Sequence, residues 1–269
     1  MAKPILRRLV SVVAALSLVI LSHSAVFAEN GSTANSTAAP VWYESAANKL
    51  IALGAVSPND NFSEPVTRAE FVRIAGVALG YEKDGAIRLP VNRSAPFADI
   101  GAEGLTADRF LIFRSLGIIS GDERNNANPG ALISRCQAAA IVARVIKAGA
   151  GGENPGAVFK DYDKIPEWAR REVSLFAQKG IVVSGGGIEF RPMDNVTRAE
   201  LCVILDKALG EIIIGNNEFS NRTFNGNVTI SGGNVSFKNT TIQGSLLISA
   251  AAGDVSLDNV SIGGDLIRQ

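Results

Sequence analysis

The sequence contains little of the material from which metal centres are built. Among its 269 residues there are one histidine and two cysteines, and no Cys-x-x-Cys pair. Structural and catalytic metal sites need clusters of such residues, so we expect no metal and no other cofactor. We interpret the two cysteines, Cys136 and Cys202, as buried free thiols, and a disulfide between them is the alternative.

An excess of charge of one sign is also missing. The chain has 26 basic and 26 acidic residues. Proteins that bind nucleic acid usually carry a basic face, so the balance argues against that partner. With 46% apolar residues, the chain is long enough and apolar enough for two modest domains with a real core.

The apolar run near the N-terminus is too short to span a bilayer comfortably. It extends from Leu9 to Leu21, follows three basic residues and precedes Val26-Phe27-Ala28. This pattern predicts an export signal over residues 1–28, cleaved before Glu29, and an uncleaved membrane anchor is the alternative. Residues 29–40 are rich in Ser, Thr, Ala and Asn, which predicts a flexible linker.

What the chain does contain is a short motif that occurs three times. Its copies are Thr67-Arg68-Ala69-Glu70, Ser134-Arg135-Cys136-Gln137 and Thr197-Arg198-Ala199-Glu200. Each places Ser or Thr three residues before Glu or Gln, which is the spacing of a capping box at a helix start. An apolar stripe with helical spacing follows each copy. We therefore expect three equivalent helices that pack against one another.

Each copy also places an arginine at the first helical position, where a cation opposes the helix dipole. One interpretation is that Arg68, Arg135 and Arg198 bind an anionic ligand beside the helix N-termini. The other is that they form salt bridges between repeats or hydrogen bonds to loop carbonyls. The residues alone leave both interpretations open.

A second helix is predicted before each motif. Trp42, Leu105 and Trp168 are 63 residues apart, and each stands 12 residues before a glycine that is suited to end a helix. Each repeat is therefore predicted to contain a helix, a loop and a capped helix, over residues 41–84, 97–149 and 159–211. Helix pairs that cannot bury their own apolar faces are typical of repeat domains.

The combined motifs resemble S-layer homology repeats over about residues 41–211. The third repeat carries them most fully, in Phe159-Lys160-Asp161, Trp168-Ala169, Lys179-Gly180-Ile181-Val182, Phe190-Arg191-Pro192 and Val196-Thr197-Arg198-Ala199-Glu200. The resemblance implies an all-α bundle with pseudo-threefold symmetry and grooves between repeats. It also implies non-covalent binding to an anionic, often pyruvylated, secondary polysaccharide on peptidoglycan of the Gram-positive type.

The resemblance further implies which residues bind the polysaccharide. They are Arg68, Arg135, Arg198, Glu70, Glu200, Asp99, Asp161, Trp42, Trp168 and Gly121. An arginine fork suits a carboxylate, and an indole face suits a sugar ring. Gln137 and Leu105 depart from the pattern, as does Ser184 at a loop-glycine position, so we expect one or two working grooves. For the two tryptophans, the alternative is core packing at a helix start.

Residues 212–269 have a different composition and a shorter repeat. The segment 219–230 aligns with 237–248 and with 257–268, and apolar residues alternate with polar ones in each. This pattern predicts a small β-solenoid, similar to the parallel β-helix segments of other exported bacterial proteins. Three asparagines in register predict a side-chain ladder, namely Asn221, Asn239 and Asn259.

The sequence therefore predicts a multidomain α plus β protein, exported and attached to the cell wall, that is not an enzyme. We expect wall polysaccharide as its partner, with no nucleic acid and no membrane after signal cleavage. One alternative is a glycan-active enzyme on the β-helix. Against it, the acidic residues of the tail, such as Glu218 and Asp254, form no evident catalytic pair. The other alternative is a surface module that polymerises through the tail.

Overall fold

The computed structural model describes residues 41–101, 103–147, 159–181 and 189–269. The predicted signal peptide and linker lie outside the described residues. Six α-helices come first and are followed by the strands of a solenoid. The helices are α1 (Glu44–Ala52), α2 (Arg68–Ala78), α3 (Leu105–Ser115), α4 (Arg135–Val145), α5 (Glu167–Gln178) and α6 (Arg198–Leu209). A short 3-10 helix, Tyr162–Lys164, precedes α5.

The helical region is not purely α. A hairpin of two short antiparallel strands, β1 (Glu82–Lys83) and β2 (Ala86–Ile87), follows α2. Its two-residue turn is Asp84-Gly85, and both residues have positive φ, 52° and 75°. Asp-Gly is a preferred pair for such turns, so the expectation of an all-α region missed a local signal.

The three motif helices begin as predicted. The side chains of Thr67, Ser134 and Thr197 each accept a hydrogen bond from the backbone N–H three residues later. At Ser134 and Thr197 the reciprocal bond completes the capping box. The predicted N-caps of α2, α4 and α6 are thus confirmed, and the predicted capping box is confirmed for α4 and α6.

The segments just before these three helices form a closed ring of backbone hydrogen bonds. The Val66 N–H donates to the Val196 carbonyl at 2.9 Å, and the Val196 N–H donates to the Ile133 carbonyl at 3.0 Å. The Ile133 N–H then donates to the Val66 carbonyl at 3.1 Å and closes the ring. All three residues are fully buried. The N-termini of α2, α4 and α6 therefore meet around one buried point.

The first helix of each pair packs on the motif helix of the preceding pair. Thus α3 contacts α2, α5 contacts α4, and α1 contacts α6. The predicted apolar stripes all face one common core, which contains Phe71, Ile74, Ala75, Ala78, Leu79, Ala138, Ile141, Val142, Val145, Ile146, Leu201, Ile204, Leu205, Ala208 and Leu209. The prediction that the three helices bury these stripes together is confirmed.

The tail is a parallel β-solenoid of about three turns. Its strands are β3 (Glu211–Ile213), β4 (Asn217–Ser220), β5 (Thr223–Phe224), β6 (Val228–Ile230), β7 (Gly233–Ile242), β8 (Leu246–Ile248), β9 (Ala252–Ile262) and β10 (Leu266–Arg268). One sheet has the order β10-β8-β6-β3, and the other places β7 between β9 and the pair β4 and β5. Every pairing in the two sheets is parallel.

The strand register confirms the predicted alignment of the coils. Phe219 pairs with Phe237, and Phe237 pairs with Leu257. The two phenylalanine rings stack with their centroids 5.3 Å apart inside the solenoid. At the predicted corner, Asn239 and Asn259 adopt positive φ, and the Asn259 side-chain amide donates to Asn239 Oδ1 at 2.8 Å. The asparagine ladder is thus present between these two coils.

The solenoid packs directly on the helices, a contact that the sequence alone did not predict. In the first sheet, the side chains that point out of the solenoid are apolar or carry a hydroxyl group. They face the helical core, and Thr229, Leu247 and Ile267 are buried. Hydroxyl groups in and beside this sheet donate to the last carbonyls of two motif helices. Thr229 bonds to Leu209 at 2.7 Å and Ser231 to Ala78 at 2.6 Å.

These contacts have a clear physical reason. The last carbonyls of a helix lack partners within that helix. The solenoid supplies partners for α2, α4 and α6, because the Gln269 amide also reaches the Val145 carbonyl at 2.9 Å. The approach is close enough to require glycine after α2, where a Cβ on Gly80 would lie 1.7 Å from the Ser231 carbonyl oxygen. The solenoid therefore closes the C-terminal ends of all three motif helices.

Candidate functional site

The first backbone amides of the motif helices are occupied by the protein itself. The N–H groups of Arg68, Arg135 and Arg198 each donate to a loop carbonyl of the next repeat around the ring, at 2.8–2.9 Å. The following N–H groups, those of Ala69, Cys136 and Ala199, also donate to these loops, at 2.9–3.1 Å. An anion therefore cannot use these amides, and any anion site in this region must depend on the arginine side chains.

Two of the three arginines form buried salt bridges between repeats. Arg135 donates from NH1 to Glu200 Oε1 at 2.8 Å, and its side chain is 3% exposed. Arg198 donates from both Nε and NH2 to Glu70 Oε1 at 2.8 Å. The salt-bridge interpretation therefore applies to these two arginines, and Glu70 and Glu200 are their partners. A role of these four residues in binding polysaccharide stays a prediction.

Arg68 differs from the other two. Its Nε donates to the Ala127 carbonyl at 2.8 Å, but no ion pair among the described residues includes it. Burial lowers the pKa of Arg68, and the nearby charges of Asp99 and Asp122 partly offset this effect. The residue that occupies the position of Glu70 and Glu200 in the neighbouring helix is Gln137, which carries no charge.

A groove of about 180 Å³ lies beside Arg68, and we name it the Arg68 groove. Its walls are Arg68, Ile119, Ser120, Gln137, Ala140, Ile141, Arg144 and Trp168. Arg144 donates to the Ile118 carbonyl at 3.2 Å. The groove thus combines two guanidinium groups with an indole, the side chains that recognise a carboxylate and the face of a sugar ring.

Both tryptophans lie on the surface. The exposed fraction is 60% for Trp42 and 56% for Trp168, so core packing is the wrong interpretation for them. Trp42 contacts Tyr43 edge to face, and Leu105 at the third equivalent position is also exposed. An indole that is more than half exposed is suited to stacking on a ligand. The structure therefore leaves both tryptophans accessible, and it brings Trp168 together with Arg68.

The two predicted aspartates hold loops. Asp99 accepts from the backbone N–H groups of Ala127 and Asn128 at 2.7 Å, and Asp161 accepts from those of Phe190 and Arg191 at 2.8 Å. The same loops provide the carbonyls that accept from Arg68 and Arg135. The aspartates therefore position the arginines through the loops. Direct contact of Asp99 or Asp161 with a polysaccharide stays a prediction.

Gly121 has a steric role. A Cβ at this position would lie 2.9 Å from the Asn125 Cα, which is closer than real Cβ contacts. Gly121 lies outside the walls of the Arg68 groove, so its predicted role in binding stays a prediction. Ser184, which was compared with it, lies outside the described residues.

Both cysteines are free and buried, which confirms their interpretation as core thiols. Burial raises the pKa of Cys136 to about 11 and that of Cys202 to about 12. The part of the chain that the structure describes has no group of three His, Cys, Asp or Glu residues that could hold a metal ion. No helix in the same residues is long and apolar enough to cross a membrane.

Sequence reasoning missed Arg144 and treated Gln137 only as a departure from a pattern. A signal for both was present in the spacing of α4. Gln137, Ala140, Ile141 and Arg144 follow the i, i+3, i+4, i+7 rule, so they share one helical face. That face lines the Arg68 groove. The sequence signal for the groove wall was therefore the pair of polar residues, Gln137 and Arg144, at the two ends of an otherwise apolar stripe.

Helix pairs that meet around a ring, with an exposed groove at one junction and a solenoid at the other end, define a repeat-type architecture. Comparison with known families agrees with this class. Residues 158–202 match the family described as the S-layer homology domain. This region of the chain is therefore similar to S-layer homology domains, which bind cell-wall polymers.

A curated protein provides a second comparison. Over 146 residues the chain is 32% identical to an amylopullulanase from Thermoanaerobacterium thermosulfurigenes. The match covers 53% of this chain and 7% of that protein. The chain spans only this small part of its relative. The activity in the relative's name is therefore a property of that protein and is not assigned to this chain.

Proposed function

We propose that this protein is exported and held at the cell surface by non-covalent binding of its helical region to an anionic, pyruvylated wall polysaccharide. The observation that carries the proposal is the Arg68 groove, where an arginine without a carboxylate partner among the described residues lies beside the exposed indole of Trp168. The family match at residues 158–202 supports the same partner class.

The proposal includes three S-layer homology repeats arranged with pseudo-threefold symmetry. The ring of Val66, Ile133 and Val196 supports this arrangement, because each residue donates once and accepts once. The loop contacts of Arg68, Arg135 and Arg198 follow the same cyclic order. Only the third repeat falls within the family match, so the other two rest on this equivalence.

The chemistry of the groove fits a sugar acid. A guanidinium group can donate two parallel hydrogen bonds to the carboxylate of a pyruvyl group. An indole can stack on the apolar face of the sugar ring. At about 180 Å³ the groove is smaller than ordinary ligand pockets of about 300–1,000 Å³. We expect it to hold one charged sugar residue while the rest of the polymer stays in solvent.

A binding assay tests the proposal. The mature chain, residues 29–269, is mixed with sacculi that carry their secondary polysaccharide and with sacculi from which it has been removed. We expect sedimentation with the first and not with the second. Trp168→Ala should weaken binding about fivefold, since stacking of a ring is worth about 1 kcal/mol. Equal sedimentation with both kinds of sacculi would contradict the proposal.

We further propose that the protein acts by binding alone, and the second candidate is a glycan-active enzyme. The observation that favours this candidate is a wide groove of about 540 Å³ on the solenoid, which includes Glu218 and Asp254 among its walls. A carboxylate pair is the usual machinery of glycoside hydrolysis. Release of reducing sugar from wall polysaccharide would support the enzyme, and we expect none.

A further inference from the structure

The junctions between motif helices can be compared atom by atom. At the junction of α4 and α6, Glu200 uses both carboxylate oxygens. Its Oε2 accepts from the Thr197 N–H at 2.9 Å and completes the helix cap. Its Oε1 accepts from Arg135 at 2.8 Å and neutralises the arginine. One carboxylate thus caps its own helix and also pairs with the arginine of the neighbouring helix. We call a junction with such a pair closed.

At the junction of α2 and α4, Gln137 makes the same cap but cannot close the junction. Its Oε1 accepts from the Ser134 N–H at 3.1 Å, as Glu200 Oε2 does at its own cap. The remaining atom of Gln137 is therefore the Nε2 amide, which donates and does not accept. Where Glu200 presents an acceptor to Arg135, Gln137 presents a donor beside Arg68.

The junction of α6 and α2 is closed like that of α4 and α6. Glu70 accepts from two nitrogens of Arg198, each at 2.8 Å. In addition, the helix that packs there on α2 begins with Leu105, where the other two pairs have tryptophan. This junction therefore lacks both a free guanidinium group and an indole.

Other acidic groups do not replace the missing glutamate at Arg68. Both oxygens of Asp99 accept from the backbone amides of Ala127 and Asn128. Asp122 accepts from the Arg124 and Asn126 backbone amides and from the side chain of Asn128. Both carboxylates are committed to the loop, and neither forms an ion pair with Arg68 among the described residues.

We propose that Gln137 makes the Arg68 groove the single binding site for a carboxylate-bearing sugar, whose carboxylate takes the place that a glutamate holds at the other two junctions. This inference rests on the proposed function and adds to it the number of sites and the residue that selects the site. It also predicts that the groove binds the sugar when the second polar atom of residue 137 is the amide nitrogen, and that a carboxylate oxygen in its place prevents binding.

The decisive variant is Gln137→Glu. Glutamate keeps the helix cap and supplies an internal carboxylate for Arg68, so the fold should be retained. The loss of a charge-assisted bond to the ligand corresponds to about tenfold weaker binding or more. The control is Gln178→Glu, which adds the same charge at an exposed position outside the groove walls, and it should bind like the parent protein.

The reciprocal variant is Glu200→Gln, which should open the junction of α4 and α6. Because α1 packs on α6 as α5 packs on α4, Trp42, which lies just before α1, corresponds to Trp168 in the first turn of α5. Titration with a free pyruvylated monosaccharide should then show two sites per chain where the parent shows one. The methyl ester of the same sugar, which lacks the charge, should bind to neither protein.

The outcomes separate the inference from the proposed function. Parent protein that sediments with polysaccharide-bearing sacculi, together with a Gln137→Glu variant that does not, supports both. Equal binding by parent and Gln137→Glu overturns the inference and leaves the proposed function in place. A parent protein that does not bind the sacculi overturns the proposed function and the inference with it. A folded Glu200→Gln variant that still has one site contradicts the inference.

Discussion

The hydroxyl of Ser249 donates a hydrogen bond of 2.8 Å to the carbonyl of Leu79, and so joins the solenoid to the end of α2. Thr229 makes the same kind of contact with Leu209 at the end of α6. Both hydroxylated residues are buried, so water cannot replace either bond if it is lost. The helices and the solenoid therefore depend on each other for the satisfaction of buried polar groups.

We predict that the helices and the solenoid unfold in a single transition. Thr229→Val keeps the shape of the side chain but leaves the Leu209 carbonyl without its partner, which costs about 1–3 kcal/mol. The melting midpoint should fall by about 2–4 °C for each kcal/mol. Calorimetry of the mature chain measures both the midpoint and the number of transitions.

Ser256→Ala is the matched control, because Ser256 is exposed on the sheet that faces away from the helices. It should leave the midpoint unchanged. Two separate transitions in the parent protein, or equal effects of the two variants, would contradict the coupling.

The three arginines should respond differently to truncation. Arg135→Ala removes one partner of a buried pair and leaves Glu200 with only Arg191, 3.1 Å away, so it should cost about 1.5–3 kcal/mol of stability, the worth of a hydrogen bond between charged groups. Arg68→Ala removes only a bond to a loop carbonyl and should cost about 1 kcal/mol. Binding to sacculi should fall in the Arg68 variant while its fold is retained. Urea denaturation and sedimentation on the same samples separate the two effects, and equal stability losses would contradict this assignment.

The two thiols should make stability depend on alkaline pH. Burial raises the pKa of Cys136 to about 11 and that of Cys202 to about 12, against 9.0 for an unperturbed thiol. The folded state therefore keeps protons that the unfolded state releases above pH 9. The stabilisation is complete below pH 9 and is lost as the pH rises towards 11 and 12, by at most about 1.4 kcal/mol per pH unit for each thiol.

Urea midpoints at several pH values between 8 and 11 measure this effect. The double variant Cys136→Ala with Cys202→Ala should lose the additional slope. At pH 8 a thiol reagent should label neither cysteine until the protein is unfolded. Rapid labelling of the folded protein would show that the thiols are accessible and contradict the burial.

Local patterns predicted much of this molecule because they act over a few residues. The caps at Thr67, Ser134 and Thr197 follow from one side chain and one amide three residues on. The coil alignment follows from alternation within each strand, since the period of two determines which side chains face inward. The family resemblance, at residues 158–202, rests on the same short-range motifs.

The docking of the solenoid was not predicted, because it depends on residues that are far apart in the chain. A sign of it was nonetheless present in strands where the alternation fails. Val228-Thr229-Ile230 and Leu246-Leu247-Ile248 have no charged or strongly polar residue at the outward position, and all six residues are buried. A strand that is covered on both faces has this composition.

The Arg68 groove was predicted only in part for a related reason. The type of each side chain could be matched to a family pattern, but its partner could not. Whether Arg68 or Arg135 is neutralised depends on a residue in the neighbouring helix, Gln137 or Glu200, and on the loop that the arginine contacts. Pairing across repeats is a property of the assembled ring, so three equivalent motifs gave two kinds of environment: Arg135 and Arg198 are paired with a glutamate, and Arg68 is not.

The first coil of the solenoid should resist pairing with another molecule because a charged side chain covers it. Arg222 lies over the rings of Phe219 and Phe224, at 5.1 Å and 4.2 Å from their centroids, and it donates to Glu211 at 2.8 Å. Charges on an exposed sheet edge oppose association between molecules. Arg222→Ala should expose both rings and give concentration-dependent oligomers of the mature chain in analytical ultracentrifugation.

Lys238→Ala, on the outer face of β7, is the control and should sediment like the parent protein. Equal sedimentation of all three proteins at every concentration would show that Arg222 does not protect this edge, and would remove the tail as a route to assembly from this end.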